Sequence, residues 1–154
     1  MKVGEINYFN YSNKPKCVFV ENKELPLICI DFWFKAGSAF EESDKNGTAH
    51  FLEHMIFKGS DRLMPGEFDY KIESLGGISN ASTGYDDVHY YVLIPKNNFK
   101  ESLALLTNIV LTPIIDIDEF QKEKSVVIDE IKQQNDQPDE KLFNYFLSLS
   151  LIHI

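Results

Sequence analysis

Apolar runs rich in β-branched and aromatic residues, separated by polar stretches, predict strands at residues 17–20 (CVFV) and 27–34 (LICIDFWF), with Asn22-Lys23-Glu24 as a turn between them. Residues 37–47 are too hydrophilic for a core and predict a loop. That loop delivers the chain to a helix whose apolar face is Phe51, Leu52, Met55 and Ile56, with Thr48 or Ser43 as its cap and Lys58-Gly59-Ser60 as its end. A second helix is expected from Pro65 to the pair Gly76-Gly77, with Phe68, Ile72 and Leu75 as its inward stripe.

Residues 78–83 and 88–94 then read as two strands around Gly84-Tyr85-Asp86-Asp87, a hairpin closed by Pro95. Leu103, Leu106, Ile109 and Val110 recur at helical spacing within residues 99–111, and Pro113 stops that helix. A long final helix starts near Asp116, with Glu119 as a capping-box partner, and runs through Phe120, Val127, Ile128 and Ile131 to about Gln134. Two strands, two helices, two strands and two helices in this order predict an α+β fold with antiparallel pairs.

Composition narrows the functional classes. A chain of 154 residues with 44% hydrophobic side chains can bury one core, so a single domain is expected. The net charge of -9 argues against a nucleic-acid partner, because phosphate binding draws on clustered Lys and Arg. Cys17 and Cys29 are too few for a disulfide framework and lack C-x-x-C spacing, so both are read as reduced strand residues. The first twenty residues show no export signal and no apolar run reaches membrane-spanning length, so the expectation is a cytoplasmic protein without a membrane partner.

The candidate chemistry lies in His50-Phe51-Leu52-Glu53-His54. On a helix the two histidines stand one turn apart on one face, where both imidazoles can reach one metal ion. Glu53 would lie beside the open coordination position, as the base that a metal-activated water needs; the pattern is the inverted H-x-x-E-H zinc signature. A third protein ligand is required, and the final helix offers Glu123 and Glu130, seven residues apart on one face with Val127 between them.

HFLEHMIFKGS, GGISNAST and EKSVVIDEIKQQNDQPDE, in this order and spacing, resemble the N-terminal catalytic domain of the insulinase and mitochondrial-processing-peptidase family of zinc metallopeptidases. The resemblance implies the N-terminal half-unit of that family's α/β roll: a mixed, largely antiparallel sheet with helices packed on one face. It implies one Zn2+ per chain, held by His50, His54 and Glu130, the last of them 76 residues beyond His54. Glu53 is then the general base, and Glu123 a second glutamate that supports the metal site or catalysis without ligating in the resting state. The strand entered through Gly76-Gly77 becomes the edge that an extended peptide pairs with, through Ser79, Asn80 and Ala81.

The implied activity is zinc-dependent endopeptidase hydrolysis of unfolded or extended peptides. The alternative is a zinc-binding but non-hydrolytic fragment or subunit, because family members carry a second domain or partner subunit that closes the substrate chamber. Residues 1–147 are accordingly expected as a catalytic domain incomplete at its C-terminus, with helix continuing only to about Phe146 and residues 148–154 a non-native tail. His89, between a valine and two tyrosines in a strand, is read as a packed histidine, and His153 falls in the tail.

Overall fold

The structure, a computed structural model, describes residues 4–10, 12 and 15–150. In chain order it contains β1 (Ile6–Asn10), β2 (Lys16–Val20), β3 (Leu27–Phe34), α1 (Thr48–Ile56), α2 (Glu67–Ser74), β4 (Ile78–Thr83), β5 (Val88–Pro95), α3 (Phe99–Leu111), α4 (Ile117–Asp136) and α5 (Pro138–Ser150). The architecture is the expected α+β, and every pairing among the described strands is antiparallel.

A three-stranded sheet in the order β3-β5-β4 carries the core. Its central strand, β5, buries Val88, Tyr90, Val92 and Ile94 on one face, the two-residue period expected of a strand covered on that side. Ile30 joins them from β3, and Ile56, Phe68, Ile72, Leu106 and Ile109 close over them from α1, α2 and α3. Helices thus pack on one face. On the other, Trp33 is 60% exposed and stacks on His89, whose Nδ1 lies 3.1 Å from Asp31 Oδ1, so His89 is a satisfied strand histidine.

Local signals set several boundaries as expected. Gly76, at φ 76°, ends α2 by donating to Glu73 O, and the Gly77 N–H reaches back to Ile72 O. Gly77 must also lack a side chain, because a Cβ there would lie 2.5 Å from Ile94 Cγ2. Asp116 caps α4 by accepting from the N–H groups of Asp118 and Glu119. Glu119 bonds Lys122 through its side chain, with no capping-box return to Asp116 among the described bonds.

Other expectations change. The segments at residues 17–20 and 27–34 do not pair with each other: β2 pairs with β1, which the pattern had not revealed, while β3 runs along β5. A strand's partner depends on long-range burial, which local turn chemistry does not report. Pro65 lies in a turn ahead of α2, and Gly66 precedes the first helical residue. Leu52, Ile128 and Ile131 are exposed, so the buried stripes of α1 and α4 are narrower than their apolar residues suggested. Helix α5 continues through Ser148–Ser150, past the expected stop near Phe146. Residues 151–154, His153 among them, lie outside the described residues. No helix among the described residues is long and apolar enough to cross a membrane.

The start of α1 is capped from a distance. Its N-cap is Gly47, at φ 91°, and neither Thr48 nor Ser43 supplies a side-chain cap. Glu41 does so: its two carboxylate oxygens accept from the N–H groups of Gly47 at 2.7 Å and Ala49 at 2.6 Å. An anion there meets both unpaired donors and the positive end of the helix dipole. Glu41→Ala is expected to destabilise the chain by about 1 kcal/mol, read as a lower urea midpoint at unchanged slope. An unchanged midpoint would show that the loop holds the helix start without this carboxylate.

Candidate metal centre

Helix α1 lies against α4 through Phe51 and Phe120, whose rings meet edge to face at 4.8 Å. That contact sets the inward face of α4, with Glu123 and Val127 buried, against the face of α1 that carries the two histidines. His50 Nε2 and His54 Nε2 are 3.3 Å apart, as one-turn spacing requires. Glu130 of α4 completes the group, with Oε2 3.3 Å from His54 Nε2 and Oε1 3.8 Å from His50 Nε2.

This triad fits a metal ion. One ligand atom from each of His50, His54 and Glu130 lies within 4.8 Å of the others, and all three residues are half-buried. Zinc bonds of about 2.0–2.2 Å place tetrahedral ligand atoms roughly 3.3–3.6 Å apart. The separations of His54 Nε2 from His50 Nε2 and from Glu130 Oε2 fall in that range, while His50 Nε2 meets the other Glu130 oxygen, Oε1, at 3.8 Å, slightly longer. Two imidazoles and one carboxylate are a donor set that leaves the fourth position open.

Glu123 occupies a different place from Glu130. It is 5% exposed, its Oε1 is 2.9 Å from His54 Nδ1, and its Oε2 is 2.6 Å from Lys58 Nζ. A carboxylate on Nδ1 makes that nitrogen the protonated one and leaves Nε2 as the acceptor. Burial raises the pKa of Glu123, but hydrogen bonds and charge from Lys58 and His54 outweigh it and hold the carboxyl below the ordinary 4.5.

A folded value below the unfolded one means that the contribution to stability is present in full above the unfolded pKa and is lost as pH falls through the folded pKa. The difference in melting temperature between the metal-free chain and Glu123→Gln should therefore shrink as pH is lowered through the range below the ordinary 4.5. A difference constant across that range would show that the charge of Glu123 contributes nothing.

Glu53 precedes His54 on α1 and accepts a hydrogen bond from Thr83 Oγ1, at the end of β4. Tyr90 beneath it is 3% exposed, and burial together with the negative charge of Glu53 keeps its phenol protonated. Beside His50 and Thr83 a groove of about 440 Å³ opens, walled by Tyr85, Ile131, Glu140 and Phe143.

The expected substrate strand is an edge, since among the described strands β4 pairs only with β5. Two of its side chains are engaged within the chain. Ser79 Oγ donates to Asp69 Oδ1 on α2 at 2.9 Å and is therefore turned away from the edge. Asn80 Oδ1 accepts from the Ala81 N–H at 2.9 Å, so the chain's own side chain covers the donor that a paired peptide would use. Sequence reasoning did not single out Glu41 or Lys58 for the site, and it placed Thr83 only at the end of the substrate edge, without its bond to Glu53. The acidic loop and the lysine within the quoted motif were visible, but nothing local pairs them with residues so far along the chain.

The profile of the family described as Insulinase (Peptidase family M16) matches residues 17–151. The zinc protease PqqE of Helicobacter pylori is 35% identical over 135 residues, which cover 87% of this chain and 30% of that protein. Subunit beta of the mitochondrial-processing peptidase of Mus musculus is 30% identical over 125 residues, 81% of this chain and 26% of the relative. A crystal structure of a protease from Helicobacter pylori superimposes with a TM-score of 0.87 at 31% identity, covering 96% of this chain and 36% of that one. The chain thus spans about a quarter to a third of the length of the relatives it matches.

Proposed function

The chain belongs to the insulinase family of peptidases, and from that premise we propose that it is the N-terminal catalytic domain of a zinc-dependent endopeptidase acting on unfolded or extended peptides. The observation that carries this reading is the convergence of His50, His54 and Glu130 within 4.8 Å, with Glu53 beside His54 on the same helix. Relatives named zinc proteases support zinc as the metal, and one ion per chain is proposed, at the single three-residue ligand group among the described residues. Residues 1–147 are the domain proposed; a second family domain or a partner subunit is proposed to complete it.

His50, His54 and Glu130 are the residues that would hold the ion. Zinc bound there supplies Lewis acidity, which lowers the pKa of water and polarises a carbonyl. Glu53 takes the proton of the attacking water and returns it to the leaving amine, and Thr83 keeps its carboxylate turned toward β4. Of the two roles expected of Glu123, support of the metal site is the one proposed, because His54 and Lys58 engage its two oxygens. The extended substrate lies along β4, where main-chain pairing supplies affinity with little dependence on sequence. Ser79 and Ala81 contribute backbone groups, and Asn80 releases the Ala81 N–H on binding.

The share of its relatives that the chain spans favours a second reading, a zinc-binding unit that hydrolyses nothing until its second half is present. Zinc titration followed by hydrolysis of a quenched fluorogenic peptide, with and without a second family domain, separates the two. Turnover by the chain alone is the result expected of the first reading; zinc binding with turnover only on complementation is that of the second. Failure to bind zinc sinks both.

A further inference from the structure

Lys58 lies one helical turn beyond His54, just past the end of α1, where its N–H bonds Met55 O. Its Nζ is 2.6 Å from Glu123 Oε2, while Oε1 of the same carboxylate is 2.9 Å from His54 Nδ1. We propose that Lys58 is a positioning residue for the metal centre, and that it acts through Glu123. By holding one oxygen it presents the other to His54, which fixes the imidazole as its Nδ1–H tautomer with Nε2 bare toward His50 and Glu130. This rests on the reading of those three residues as the ligand set.

The physical argument is one of orientation. A carboxylate can rotate about its terminal bond, and a single contact with an imidazole N–H does not define that angle. A second strong donor on the opposite oxygen does. Lys58 is suited to the task because its ammonium is a point charge that reaches Oε2 while 70% of its side-chain surface is covered, since 30% remains exposed. The consequence falls on His54: without a defined acceptor at Nδ1 the ring can place its proton on Nε2, and a protonated nitrogen is no ligand. Outer partners of this kind typically change metal affinity by about 10–100-fold.

The test uses the 154-residue chain labelled with 15N histidine. Without metal, the His54 nitrogen shifts should report a single Nδ1–H tautomer in the unaltered chain and a mixture of tautomers in Lys58→Met. Zinc affinity, measured by competition with a chromophoric chelator, should fall about tenfold in Lys58→Met and be retained in Lys58→Arg. Glu123→Ala should weaken zinc at least as much, and Lys58→Met combined with Glu123→Ala should bind no more weakly than Glu123→Ala alone.

Circular dichroism establishes that each variant is folded, and Lys58→Gln replaces Lys58→Met if the latter is not. An unchanged tautomer with unchanged affinity overturns the proposal, as does a double variant whose losses add. If no form of the chain binds zinc, the ligand-set reading fails, while the metal-free tautomer measurement still decides whether Lys58 orders His54.

Discussion

Glu53→Gln is expected to keep zinc at one equivalent per chain while peptide hydrolysis falls about 10²–10⁴-fold, the range attributed to a positioned general base. In free energy that is about 3–5 kcal/mol of barrier, at 1.36 kcal/mol per tenfold. The substitution is nearly isosteric, and the amide oxygen of glutamine can still accept from Thr83 Oγ1, so the link between α1 and β4 survives. What disappears is the capacity to accept a proton at the place where water attacks. The measurement needs a form that turns over, either the chain alone or the chain complemented with a second family domain, assayed beside a zinc determination. Near-normal turnover with zinc in place would remove Glu53 from the role of base.

His54→Ala and Glu130→Ala are each expected to abolish stoichiometric zinc binding. Each removes one of three protein ligands, so the loss should exceed the roughly 10–100-fold typical of an outer partner. The pair discriminates because the two residues reach the site from different helices. His54 shares α1 with His50, whereas Glu130 arrives on α4 and bonds only Gln134 apart from the histidines among the described contacts. Glu130 is about one-third exposed, so its removal should leave the melt of the metal-free chain near that of the unaltered one. Isothermal titration with zinc reads the outcome. If Glu130→Ala binds zinc as tightly as the unaltered chain, the third ligand lies elsewhere and the geometric argument for this centre fails.

Much of the scaffold was legible along the chain because it is set within a few residues. The hairpin around residues 84–87, the glycine stop after α2, the Asp116 cap and the limits of α3 all depend on backbone preferences and on the 3.6 and 2.0 periods. The cap of α1 was misplaced for the converse reason. Local signals point only to residues next to the helix, whereas Glu41 reaches it across the intervening loop. The same distinction explains the pairing of β3 with β5, where the buried face of β5 and not the turn at residues 22–24 chooses the partner.

The sequence by itself determined the local half of the centre. Four-residue spacing on a helix brings His50 and His54 to one ion whatever the rest of the chain does, because it is a property of helix pitch. Periodicity could go no further on α4: seven residues are nearly two full turns, so Glu123 and Glu130 share a face and look alike from the pattern, and only the family resemblance preferred Glu130. Tertiary structure separates them by height. They are about 10 Å apart along the helix axis, and the packing of Phe51 on Phe120 sets α4 so that the two nitrogens of His54 meet different carboxylates, Nδ1 with Glu123 and Nε2 with Glu130. Lys58 and Thr83 enter by the same route, as contacts made when α1 meets α4 and β4, and such contacts have no period along the chain to reveal them.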